Sequence, residues 1–188
     1  MLAVVTGPVR SGKSRVALDL ALQTGRRIVI AVGGRADDAE MARRIKRHQA
    51  ERPAHVEVLE ATSDPAWVSG VPGDACLLVD CLGTILGSGL ARIDLGGTDV
   101  ADEAAERTGE AMGDELVSAL VARTGDTVVV SNETGWGVVP ATPLGRMFRD
   151  VLGRCTRRLV DSADVAVLVV AGRCIDLNGA KREVRWPE

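Results

Sequence analysis

Gly7-Pro8-Val9-Arg10-Ser11-Gly12-Lys13-Ser14 fits the pattern G-x-x-x-x-G-K-[ST] in full. The run before it, Leu2-Ala3-Val4-Val5-Thr6, reads as a buried strand, and the residues after it read as a helix. Glycines let such a loop turn tightly and aim its N–H groups inward at phosphate oxygens. The following helix adds its positive N-terminal end. In this pattern Lys13 reaches the β- and γ-phosphates, and the Ser14 hydroxyl is placed to ligate Mg²⁺. A chance match in a chain of this size has odds on the order of one in a hundred, before the strand–loop–helix context is counted. Pro8 removes one donor near the loop's start and leaves the later N–H groups in place. The motif therefore predicts an α/β fold around a nucleotide phosphate site, with Gly7, Pro8, Val9, Arg10, Ser11, Gly12, Lys13 and Ser14 as its lining.

Outward from the loop, β-rich runs alternate with helix-like stretches. Strands are predicted over residues 2–6, 27–32, 75–80, 127–131 and 165–170. Helices are predicted over 14–24, with Gly25 as the stop, over 37–51, within 100–123, and over 144–162. In the first helix Val16, Leu18, Leu20 and Leu22 stand among alanines as the apolar content. Such alternation argues for a mostly parallel central sheet covered by helices on both faces, within one domain over residues 1–188. Residues 94–99, with Gly96-Gly97, read as a loop, and residues 181–188 as a polar end that frays. Asp80 ends a strand at the sheet edge where the phosphate loop lies, the edge at which open α/β sheets bind ligands. It is read as the second metal-side carboxylate, with a strand-end turn as the alternative.

The chain has 188 residues, 46% of them hydrophobic and 26% charged, with a net charge of -3, which suits a soluble domain with a real core. A weakly acidic chain with three Trp, one Phe and no Tyr is a poor nucleic-acid binder. No apolar run approaches the roughly 20 residues of a membrane helix, and the start lacks a secretory pattern, so a cytoplasmic protein without a membrane span is expected. Cys76, Cys81, Cys155 and Cys174 have no metal-ligand spacing and are expected to be reduced and mostly buried.

Two further constellations stand out. Met41, Ile45 and His48 share one face of the predicted helix 37–51. The cations Arg43, Arg44, Lys46, Arg47 and Arg52 surround them. By spacing alone His48 is an ordinary helix residue and the cations a solvated face, although beside a phosphate loop they could clamp a triphosphate. Ser131-Asn132-Glu133-Thr134-Gly135-Trp136-Gly137-Val138-Val139-Pro140 follows a strong strand. It reads as a substrate-facing loop, or else as a plain connection with Trp136 covering the core.

These blocks together resemble the bifunctional adenosylcobinamide kinase/adenosylcobinamide-phosphate guanylyltransferase family of cobalamin biosynthesis. The matching residues run through almost the whole chain. They include Arg10-Ser11-Gly12-Lys13-Ser14, Arg44-Ile45 with His48 and Arg52-Pro53, Glu60, Leu78-Val79-Asp80-Cys81, Ser131-Asn132-Glu133 and Gly137-Val138-Val139-Pro140, then Arg149-Asp150. The resemblance implies phosphorylation of adenosylcobinamide by ATP or GTP. It then implies transfer of GMP from GTP to adenosylcobinamide phosphate, giving adenosylcobinamide-GDP. It implies His48 as the carrier of GMP, with Lys13 the other catalytic residue. Gln49, Ala50, Glu51, Arg52, Glu60 and Asp80 are implied as nucleotide contacts, with Mg²⁺ between Ser14 and Asp80. A RecA-like P-loop fold and a homotrimer are implied as well. Two other readings are a P-loop kinase of a different small molecule and a GTP-binding module without corrinoid turnover. The chain departs from the family pattern at Pro8-Val9, Val56, 82–90 and Thr156-Arg157.

Overall fold

A computed structural model describes residues 1–33, 56–95 and 102–180. Its centre is a seven-stranded sheet: β1 (Leu2–Gly7), β2 (Ile28–Gly33), β3 (Glu57–Ala61), β4 (Cys76–Asp80), β5 (Thr127–Asn132), β6 (Val165–Val170) and β7 (Arg173–Asp176). The helices are α1 (Lys13–Gln23), α2 (Ala66–Ser69), α3 (Leu82–Leu90), α4 (Glu103–Ala122) and α5 (Pro143–Ser162). The spatial strand order is β3-β2-β4-β5-β1-β6-β7. Every recorded pairing is parallel except that of the edge strand β7 with β6. Strand β5 lies between β1, which feeds the phosphate loop, and β4, which ends on Asp80.

The central strands are apolar on both sides because both faces are covered. Val4, Val79 and Val129 pack with Leu86, Leu116 and Leu152 of α3, α4 and α5. Val5, Leu78, Val128 and Val130 turn to the other face and pack with Ala17 and Ala21 of α1. The mostly parallel sheet with helices on both faces is thus the expected one. Helix α1 seats itself on its alanines, while Leu22 is exposed. Small side chains bring a helix axis close to the sheet, so the larger leucines are pushed to the flanks. Gly25, at φ +66°, follows the last turn in the left-handed conformation a helix stop requires.

Helices α4 and α5 are capped by side chains. Asp102 accepts from the Ala105 amide, and Thr142 accepts from the Gly145 amide with Pro143 at the first helical turn. Their contact depends on a small residue: a Cβ on Gly113 would sit 2.7 Å from Cys155 Sγ and 2.9 Å from Val151 Cγ1. Four short elements, β3, α2, α3 and β7, had no counterpart among the predicted strands and helices. The predicted helix 37–51 lies outside the described residues, as do His48, His55, Gln49, Ala50, Glu51, Arg52 and most of the loop 94–99. All four cysteines are free; Cys76 and Cys155 are buried, Cys81 is half-buried and Cys174 exposed.

The junction of β2 with α3 is a tight approach at the sheet's C-terminal edge. A Cβ on Gly33 would lie 2.5 Å from the Ile85 amide nitrogen and 2.7 Å from its Cα. Those atoms belong to a helix backbone and cannot swing aside. Gly33→Ala is therefore expected to destabilise the protein by about 1–3 kcal/mol, read as a lowered urea midpoint. An unchanged midpoint would show that the junction yields freely.

Candidate phosphate-binding and metal site

The loop between β1 and α1 is built from unusual backbone. Gly7 has φ +155° and Gly12 φ +98°, while Arg10 occupies the left-handed region at φ 58°. A Cβ on Gly7 would come within 2.3 Å of the Val169 carbonyl oxygen. Gly12 is the N-cap of α1, and no side chain caps that helix. Of the helices longer than about one turn, α1 and α3 lack a side-chain cap. Both begin just beyond the C-terminal edge of the sheet, after β1 and β4 respectively. Among the described residues, the amides of Gly12, Lys13 and Ser14 make no backbone hydrogen bond. These are the surplus donors of a helix start, left for an anion.

Two neighbours hold the loop from outside. The Glu133 amide donates to the Gly7 carbonyl (2.9 Å), and the Gly172 amide donates to the Ser11 carbonyl (2.9 Å). The buried hydroxyls of Thr6, near the end of β1, and of Ser11, in the loop, have no partner. Unpartnered buried hydroxyls are rare, and that of Ser11 lies inside the loop, 2.9 Å from where a Cβ on Gly7 would be.

Lys13 is 8% exposed, and its ammonium donates to the Pro8 carbonyl at 3.1 Å. Burial holds its pKa below the ordinary 10.5, while Cys81 and Asp80 nearby oppose the shift. The Ser14 hydroxyl donates to Asp80 Oδ1 at 3.1 Å. The two residues read from sequence as the metal pair are thus in contact. A hydroxyl and a carboxylate are the hard oxygen donors that Mg²⁺ takes with substrate phosphates. Next to Asp80, the Cys81 thiol donates to Asn132 Oδ1 (3.0 Å), and burial pushes its pKa up, so it stays neutral.

Not every expected contact converges here. Glu60 lies on the edge strand β3, four strand spacings from β1, roughly 19 Å at about 4.8 Å each. The loop after β5 leaves from Asn132, whose register partner is Gly7. Trp136 on that loop is 65% exposed, so it does not cover the core; Val138 and Val139 are exposed too. The sequence did not single out Gly172 as a buttress of the phosphate loop. Its only trace was a glycine following a strong strand.

Residues 3–177 match the model of a family described as cobinamide kinase / cobinamide phosphate guanyltransferase. The chain is similar to the bifunctional adenosylcobalamin biosynthesis protein CobP of Pseudomonas aeruginosa. The two are 35% identical over 181 residues, covering 95% of this chain and 98% of that one. It is also 37% identical to the bifunctional adenosylcobalamin biosynthesis protein CobU of Salmonella typhimurium, over 92% of this chain and 97% of that one. Among solved structures it is similar to a KaiC-like protein of Pyrococcus horikoshii. That likeness has 14% identity and a TM-score of 0.42, covering 89% of this chain and 69% of that one.

The buried ammonium of Lys13 sets stability against binding. The folded state holds this proton less tightly than the unfolded chain, so charged Lys13 costs stability at neutral pH. The cost falls only as pH rises through the lowered pKa towards 10.5. Lys13→Met is expected to stabilise the nucleotide-free protein by about 0.5–2 kcal/mol, read as a raised urea midpoint, and to remove the further stabilisation given by GTP. A variant less stable than wild type, or one still stabilised by GTP, would contradict this.

Proposed function

The chain belongs to the cobinamide kinase/cobinamide phosphate guanyltransferase family, and from that membership we propose that it carries out both reactions in turn. It phosphorylates the aminopropanol hydroxyl of adenosylcobinamide with ATP or GTP. It then transfers GMP from GTP to the resulting phosphate, releasing pyrophosphate and giving adenosylcobinamide-GDP. The observation that supports the phosphate chemistry best is the contact of Ser14 with Asp80 beside the buried Lys13.

In this reading the loop from Gly7 to Ser14 wraps the triphosphate, the amides of Gly12, Lys13 and Ser14 facing it, and Lys13 supplies the fixed cation beside the β- and γ-phosphates. Ser14 and Asp80 would hold Mg²⁺, which when bound neutralises charge on the phosphate oxygens. Holding the phosphates in line with the acceptor hydroxyl is most of what such a site must do.

The second step uses a different group. A neutral imidazole is a competent nucleophile near pH 7, and His48 takes that role. It attacks the α-phosphorus of GTP, pyrophosphate leaves, and the P–N bond is then broken by the corrinoid phosphate. Arg43, Arg44, Lys46, Arg47 and Arg52 suit a triphosphate clamp beside it. Gln49, Ala50, Glu51, Arg52 and Glu60 contact the guanine nucleotide. The protein works as a cytoplasmic homotrimer. Among the described residues no helix is long and apolar enough to cross a membrane.

His48→Ala is expected to lose covalent labelling by GTP carrying label at the α-phosphate, and to stop forming adenosylcobinamide-GDP. It should still make adenosylcobinamide phosphate, because that step needs no protein nucleophile. The wild-type adduct should have the mass of one GMP and be labile in acid. Labelling that survives in His48→Ala and vanishes in His55→Ala would move the nucleophile. Wild type that never labels would favour a plain kinase or a nucleotide-sensing module.

A further inference from the structure

The kinase step leaves one chemical task unassigned. As the substrate hydroxyl attacks the γ-phosphorus, its proton must go somewhere. Lys13 is a cation, and Asp80 is engaged by the Ser14 hydroxyl on the metal side. Glu60 is four strands away from β1. His48 is reserved for the other step in the reading above.

Glu133 is placed differently. It is the first residue beyond β5, whose last residue, Asn132, is the register partner of Gly7. Its own amide donates to the Gly7 carbonyl at 2.9 Å. The Lys13 ammonium donates to the Pro8 carbonyl at 3.1 Å. Glu133 and the tip of Lys13 are therefore anchored on consecutive carbonyls of the phosphate loop, whose Cα atoms are about 3.8 Å apart. Lys13 marks the β/γ end of the triphosphate, so Glu133 is rooted at that same end.

The carboxylate is also held in a defined posture. Glu133 Oε1 accepts from the Gly135 amide at 2.6 Å. Among the described residues Oε2 has no hydrogen-bond donor, and the side chain is half-buried. One oxygen is thus fixed by the chain and the other is available to a ligand. Asn132, just before it, cannot do this work. Its Oδ1 accepts from the Cys81 thiol, and an amide is no base.

We propose that Glu133 is the general base of the kinase step. Its Oε2 takes the proton of the acceptor hydroxyl as the new O–P bond forms. The bond from the γ-phosphorus to the bridging oxygen breaks with its electron pair, and the nucleoside diphosphate leaves. The proton passes to solvent before the next turnover. The assignment rests on the kinase reading above and adds a residue to it.

Glu133→Gln is the direct test, because glutamine keeps an Oε1 acceptor for the Gly135 amide and so keeps the loop. The kcat for adenosylcobinamide phosphorylation should fall about 10²–10⁴-fold, with the KM for nucleotide, the thermal midpoint and the rate of covalent GMP labelling unchanged. Glu133→Asp, which retains a carboxylate on a shorter arm, should fall between the two. Glu133→Gln with a kcat within threefold of wild type would overturn the assignment and leave the kinase reading standing. A parallel loss of GMP labelling or of nucleotide affinity would also overturn it, since the residue would then serve nucleotide binding. Wild-type protein that labels with GMP but never phosphorylates the corrinoid would overturn the kinase reading and this assignment together.

Discussion

The amides of a phosphate loop must point at the ligand, so they cannot be spent holding the loop together. Support has to come from outside, and here it comes from both neighbours of β1. The Glu133 amide reaches Gly7 from the end of β5, and the Gly172 amide reaches Ser11 from the turn between β6 and β7. The same requirement explains why β1 lies inside the sheet with β5 on one side and β6 on the other. It also explains Gly7: with the Val169 carbonyl 2.3 Å from where a Cβ would be, only hydrogen fits. Packing of β6 against β1 and the shape of the phosphate cradle are one constraint.

A cradle held this way keeps polar groups that the protein itself does not pair. Lys13 is desolvated, α1 has no side-chain cap, and the hydroxyls of Thr6 and Ser11 lack partners. Each is a local cost to the fold. The hydroxyl of Ser14 and the carboxylate of Asp80 meet on the side of β4, and Glu133 stands on the side of β5. These three polar groups come at or after the ends of three strands whose order in the sheet is β4-β5-β1.

Much of this was legible in the residues because the signals are local. The run Leu2 to Thr6, the glycine-spaced loop and the strand ending on Asp80 each announce themselves within a few positions, and the pairing of Ser14 with Asp80 follows from their shared edge. The elements that escaped are those whose existence is decided by partners far away in sequence. Strand β3 is an edge strand reading Glu57-Val58-Leu59-Glu60-Ala61, mostly exposed, and it pairs only because β2 offers a free edge. Strand β7 is exposed at all four positions and is held by β6. Gly172 sits in the turn between β6 and β7, so its role as a buttress could not be read before that hairpin was known.

Helix α3 shows the same principle in its strongest form. Leu82-Gly83-Thr84-Ile85-Leu86-Gly87-Ser88-Gly89-Leu90 carries three glycines, each a helix penalty of about 1 kcal/mol relative to alanine. By propensity it should not be a helix. Yet each glycine meets a neighbour: Asn132 Oδ1 lies 2.7 Å from a Cβ at Gly83, Phe148 3.4 Å from one at Gly87, and Ser63 and Met112 2.4–2.6 Å from one at Gly89. Leu82, Ile85, Leu86 and Leu90 are meanwhile fully buried. The bare face of α3 at Gly83 lets Asn132, and with it the end of β5, sit close enough for its Oδ1 to accept from the Cys81 thiol beside Asp80. The glycines of α3 are therefore coupled to the geometry of the phosphate edge through backbone approach, a coupling visible only once both segments are placed.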